Sequence, residues 1–157
     1  MKHKMLFRGK SKGTNEWVYG SCLFGSNYFN EHVAYIYPEN VRIDSRGSTD
    51  DHSGYKVYSD TVGEYMGFKD VEGTMIFEGD ILGGDEEIYS CSYVSATGTG
   101  NGYFNDLHWT NKDYRFVAEM TPSSLTLVSM YSKKFKIIGN VYDNPQLLLR
   151  KEMLDET

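Results

Sequence analysis

Several scarcities narrow the field before any motif is considered. Cysteine is nearly missing: Cys22 and Cys91 stand alone and far apart. With no C-x-x-C pair, the common zinc and dithiol motifs and a dense disulfide framework are excluded. Proline occurs three times, too seldom for a rigid Pro-rich linker. No apolar run approaches the ~18 residues that a membrane-spanning helix needs. The opening MKHKMLFRGK carries charge but not the apolar stretch of a secretory signal. Positive charge is also short, with 16 Lys and Arg against 22 Asp and Glu and a net charge of −6. That balance disfavours direct nucleic-acid binding, which calls for an overall basic stripe. The expectation is a reduced protein of the cytoplasm with no membrane partner.

What is abundant points to sheets. Of 157 residues, 15 % are aromatic, with thirteen Tyr and eight Phe, and there are sixteen Gly. That mixture suits pleated strands and tight turns. Met5–Arg8 and Trp17–Phe24, separated by GKSKGTNE, form a first hairpin. His32–Tyr37, ended by Pro38, is a further strand, and Val41–Asp44 pairs after it. Strand character resumes at Tyr55–Tyr58 and breaks at Ser59–Val62. In EYMGFKDVEGTMIFEGDIL, residues 64–82, a strand around Tyr65–Phe68 turns at Asp70-Val71-Glu72-Gly73. Asp accepts backbone N–H groups there and Gly tolerates positive φ. Met75–Phe77 return, with Met75 and Phe77 on one side and Ile76 and Glu78 on the other. Glu78-Gly79-Asp80 bends again, and Ile81 and Leu82 begin the next strand.

Gly83–Glu87 has loop composition. Ile88–Val94, Arg115–Met120, Leu125–Met130 and Phe135–Ile138 have strand patterns. Asn144 and Pro145 cap and open a short C-terminal helix over Gln146–Met153. The fold expected is mainly β and antiparallel, with small-barrel character and a short C-terminal helix. It divides into residues 1–62 and 63–157, or forms one continuous domain.

Catalytic constellations are sparse. No G-x-S-x-G elbow is present. Cys22 lies in an apolar strand pattern, as a packed thiol does. Asp50, Asp51 and His52 sit in the polar loop Ser45–Gly54, and adjacent loop residues seldom converge on one ion, so no metal or other cofactor is expected. The G-x-G-x-G spacing in ATGTGNG, residues 96–102, lacks the following helix that a phosphate loop requires. Asp80 is expected to accept N–H groups of its own bend. An enzymatic reading would use His108 with Asp106, or Glu78 with Asp80.

The aromatic excess suggests binding instead. Trp17, Tyr19, Tyr35, Tyr37, Tyr89, Tyr93, Tyr103 and Trp109 are spread over strands and loops. Rings near Arg8 or Arg115 can stack on a base. The candidate ligand contacts are Arg8, Lys10, Trp17, Tyr19, Tyr103 and Trp109.

Three segments carry a resemblance. FRGK (residues 7–10) followed by EWVYGS (16–21), VYSDTVGEYMGFKDVEGTMIFEGDIL (57–82) and IIGNVYDNPQLL (137–148) occur in the order seen in the YopX family of phage and prophage proteins. The chain resembles that family from end to end. Departures are Met66 for the usual Thr, Phe68 for the usual Leu, and a longer, Gly-rich insert from Gly83 to Thr110. The resemblance implies a phage origin, a β-rich fold with a small-barrel C-terminal part, and self-association. It implies no catalytic residues.

Together these features lead to a non-enzymatic binding protein acting in the host cell. Its concrete form is an anti-defence factor that sequesters a nucleotide-derived immune signal. The alternative is a protein–protein module that inhibits a host enzyme or regulator through an acidic surface.

Overall fold

The computed structural model describes residues 5–38, 54–84, 108–110 and 113–148. The chain divides into two units, Met1–Tyr65 and Met66–Thr157. The strands expected at Val41–Asp44 and Ile88–Val94, most of the loop expected at Ser45–Gly54 and the Gly-dense 96–102 segment lie outside the described residues.

In the first unit β1 (Phe7–Lys10), β2 (Trp17–Ser26), β3 (His32–Tyr37) and β4 (Tyr55–Val57) run in the order β4-β3-β2-β1. All their pairings are antiparallel. The β1–β2 turn is held by Ser11, whose Oγ accepts the N–H groups of Gly13 and Thr14. β2 changes partner along its length: Trp17–Gly20 pair with β1 and Ser21–Ser26 with β3. The chain after β1 also meets β4. Ser11 bridges Val57, Lys12 N–H donates to Lys56 O at 2.9 Å, and Tyr58 N–H to Lys10 O at 2.9 Å.

The strands thus curl around Ala34, Ile36 and Val57, with Phe7, Val18, Cys22 and Val62 packed against them. Gly9 makes this curl possible, because a Cβ there would sit 3.1 Å from both Ile36 Cδ1 and Val57 Cβ. A 3-10 turn, Ser59–Thr61, follows β4. Thr61 Oγ1 locks it to β1 by accepting Lys10 N–H at 2.9 Å while donating to Tyr58 O at 2.7 Å. β5 (Gly63–Lys69) begins alongside β1, with Arg8 opposite Gly63 and Phe7 opposite Glu64.

In the second unit the remainder of β5 neighbours β6 (Met75–Phe77). A separate antiparallel sheet contains β7 (Asp80–Gly84), β8 (His108–Thr110), β9 (Asp113–Val117) and β10 (Lys136–Asn140), in the order β10-β7-β9-β8. Between β9 and β10 lies one α-helix, α1 (Pro122–Tyr131). The core joins Met66, Ile76, Leu82, Phe116, Ala118, Leu127, Val128, Tyr131 and Phe135. Phe135 packs at 5.3 Å from the Tyr131 ring and 5.8 Å from that of Phe116.

Two expectations need correction. Leu125–Met130 is helix, not strand. Thr121 caps it, with its side chain accepting Ser124 N–H, and Pro122 opens it. The buried residues Ser124, Leu127, Val128 and Tyr131 then follow helical spacing. Gly83 and Gly84 continue β7 instead of starting a loop, because their bare Cα atoms let Ile138 and Phe135 lie against the strand. Ile76 and Phe77 are both buried despite pointing oppositely. The fold is mainly β and antiparallel, as expected, and the C-terminal sheet shows no closed barrel among the described residues. Near the C-terminus Pro145–Leu148 form a 3-10 turn, and the rest of the expected helix lies outside the described residues. Among the described residues no helix is long and apolar enough to cross a membrane.

Candidate functional site

Register decides which side chains share a face. In β1 and β2, Arg8 lies opposite Tyr19 and Lys10 opposite Trp17. Alternation along each strand puts all four on the face away from the Ala34–Ile36–Val57 core. Four of the six candidate contacts are therefore brought together. The Arg8 guanidinium carbon lies 4.6 Å from the centre of the Trp17 ring, and Arg8 is buried while Tyr19 is 45 % exposed. Arg8 thus supports the Trp17 ring from beneath, and Tyr19 presents its own ring to solvent.

The same alternation adds residues that composition alone did not select. Tyr35 and Leu23 face each other across β2 and β3, and Lys56 lies opposite Tyr35 on β4. Tyr37, opposite Ser21, joins them, its ring lying against the bare Cα of Gly54. Lys12 continues the series, with its ammonium 5.3 Å from the Tyr58 ring centre. β1–β4 contain no acidic residue, although the whole chain has 22. The face is locally cationic and aromatic within an acidic protein.

Of the other candidates, Tyr103 and Asp106 lie outside the described residues. Trp109 and His108 belong to β8 in the second unit, where Trp109 pairs with Tyr114 and His108 with Arg115. Arg115 itself donates from a guanidinium nitrogen to Leu147 O at 2.7 Å.

The acidic stretch has a different purpose. Asp70 Oδ1 accepts Glu72 N–H at 3.0 Å and Thr74 N–H at 2.8 Å. Its Oδ2 accepts Ile137 N–H at 3.0 Å, a link across 67 residues. Asp80 is buried and its Oδ2 accepts Phe77 N–H at 2.8 Å. Both carboxylates are engaged by backbone, as a carboxylate is that shapes a turn. Among the described residues no group of three or more His, Cys, Asp or Glu could hold a metal ion.

The segment after Glu78 docks directly on the chain's closing segment. β7 and β10 pair Ile81 with Gly139 and Asp80 with Asn140, and Val141 N–H donates to Gly79 O at 2.9 Å. Asn140 Oδ1 accepts the N–H groups of Tyr142 and Asp143. The two most distinctive stretches of the sequence are thus two halves of one structural joint.

The model of the YopX protein family matches residues 6–149. The chain belongs to the YopX family. No curated protein matches it. The crystal structure of protein EF1440 from Enterococcus faecalis is similar at a TM-score of 0.42 and 19 % identity, over 92 % of this chain and 98 % of that one. In YopX terms, the motif acids Asp70 and Asp80 secure the scaffold of this member, and the cationic aromatic face is built on the strands before them.

Two further features complete the inventory. Cys22 faces the first core, where burial raises its thiol pKa above the ordinary value by desolvation. The tip joining β2 and β3 is organised around Asn27 and displays two aromatic rings. Asn27 Oδ1 accepts the N–H groups of Phe29 and Glu31, while its amide donates to Glu31 Oε2 at 2.7 Å. This frame holds Tyr28, 98 % exposed, and Phe29, 79 % exposed, in an edge-to-face pair. Leu23 and Phe24 are exposed nearby on β2. Sequence reasoning missed the tip, although an N-Y-F-N turn with two central aromatics was the available signal.

Proposed function

We propose that this YopX protein is a phage-encoded binding protein, not an enzyme, that captures a nucleotide-type anion on the cationic aromatic face of β1–β4. The observation that carries this reading is charge segregation. Strands free of Asp and Glu bear Arg8, Lys10 and Lys56 beside Trp17, Tyr19, Tyr35 and Tyr37. Rings stack on a base and cations neutralise phosphate. In the host cytoplasm, a homo-oligomer of this kind acts as a sponge that withdraws a nucleotide-derived immune signal. The test is calorimetry against cyclic and ADP-ribose-type nucleotides, using wild type and Trp17→Ala. Binding to wild type that falls at least about fivefold in the variant supports the reading, since base–aromatic stacking is worth ~1–3 kcal/mol. No binding by a folded wild type refutes it.

The tip favours a second reading, a module that inhibits a host protein. Exposed, pre-organised aromatics are the residues that anchor protein interfaces. Retention of a stoichiometric host protein from lysate, lost in Tyr28→Ser/Phe29→Ser, supports this alternative. Retention that is unchanged in the variant counts against the tip.

A further inference from the structure

Resting on the reading of the β1–β4 face as a nucleotide site, we infer that its ligand is a short oligonucleotide, linear or cyclic, that presents at least two bases. The surface repeats one unit. Lys10 lies opposite Trp17, Arg8 opposite Tyr19 and Lys56 opposite Tyr35. Trp17 and Tyr35 thus each face a lysine on the neighbouring strand, about 5 Å away at the backbone, while the buried Arg8 opposite Tyr19 lies under the Trp17 ring. A surface that repeats ring plus cation matches a ligand that repeats base plus phosphate. A mononucleotide uses one such unit.

The spacing supports the same conclusion. Trp17 and Tyr19 are two residues apart on β2, about 7 Å along the strand. Tyr37 lies one strand over, opposite Ser21, at a diagonal of about 7–8 Å from Tyr19. Tyr35 follows two residues farther on, opposite Leu23. The row Trp17–Tyr19–Tyr37–Tyr35 therefore spans roughly 20 Å, counting strand rise per residue. One base stacks on one ring, so a single nucleotide leaves most of the row unused. Charge selects the same ligand: an anion carrying several phosphates gains from strands that bear Lys and Arg and no carboxylate.

The experiment measures affinities for AMP, linear diadenylate and cyclic diadenylate, for wild type, Tyr35→Ala and Lys56→Ala, with near-UV dichroism as the check on folding. The expected result is at least about a tenfold gain from AMP to one of the two dinucleotides, within the range of one added base–aromatic stack. Tyr35→Ala should remove most of that gain, weakening dinucleotide binding by a clearly larger factor than AMP binding. Lys56→Ala should flatten the salt dependence of dinucleotide binding, by about 0.7 in the slope of log K against log salt. Equal affinity for AMP and both dinucleotides overturns the inference while leaving the nucleotide site intact. So does a Tyr35→Ala variant that weakens AMP and dinucleotide alike. Failure of every nucleotide to bind the folded wild type overturns both this inference and the proposed function.

Discussion

Asp70 offers the sharpest test of whether the family's acidic motif is architecture. Its carboxylate is buried and accepts three backbone N–H groups, two within its own turn and one from Ile137 on β10. Hydrogen bonds to a charged partner contribute about 1.5–3 kcal/mol each, and a donor left unsatisfied in the interior costs about 1–3 kcal/mol. Asp70→Asn keeps one carbonyl oxygen, which can serve the turn, but presents an NH2 group to the Ile137 N–H. The expected loss is about 2–3 kcal/mol. Asp70→Ala removes both acceptor oxygens and all three hydrogen bonds, and its loss should reach about 3–5 kcal/mol, softened where the turn amides meet water. With a urea slope of about 2 kcal/mol/M, these correspond to midpoint shifts of about 1 and 2 M. Amide exchange separates the two halves of the claim: in Asp70→Asn, Ile137 should lose protection while Thr74 keeps it. An Asp70→Asn variant within about 0.5 kcal/mol of wild type, with Ile137 still protected, would refute the reasoning.

Gly73 and Gly79 both have left-handed backbones, at φ +85° and +89°, but only Gly79 also lacks room. A Cβ there would lie 2.8 Å from Tyr142 Cε2, whereas nothing lies within 4 Å at Gly73. Gly73→Ala should destabilise by about 1–2 kcal/mol from backbone strain alone, and Gly79→Ala by clearly more, with part of the excess recovered in Gly79→Ala/Tyr142→Ala by chemical denaturation. Cys22 should react slowly with a thiol reagent at pH 8, because burial keeps the thiol neutral. Since its folded pKa is raised above the ordinary value, the associated stability is present below the unfolded pKa and declines as pH rises through the folded one. Stability that instead increases with pH in that alkaline window, relative to Cys22→Ala, would contradict this.

The sequence made the first hairpin, β3 and the Asp70 turn legible because each is set by neighbours a few residues apart. α1 was obscured because Leu125, Leu127, Val128 and Met130 fit an alternating pattern nearly as well as a helical one. The cap at Thr121 and Pro122, three residues upstream, was the deciding signal. The Asp70–Ile137 bond could not be read at all, since it depends on how distant strands pack. The candidate face was half legible. Arg8, Lys10, Trp17 and Tyr19 are separated by one turn, so strand parity places them together. Adding Tyr35, Tyr37 and Lys56 required the β2–β3 and β3–β4 registers, which a single sequence does not specify.

The way β7 and β8 flank β9 constrains the chain that joins them. Gly83 and His108 both lie opposite Arg115, so the chain leaving β7 must return about 10 Å from where it departed, two strand spacings away. Residues 85–107 span that gap. Because both anchoring points are fixed by the sheet, doubling the length of the intervening segment adds only ~0.6 kcal/mol of closure entropy. Closure entropy therefore sets only a weak limit on the length of chain that can join β7 to β8.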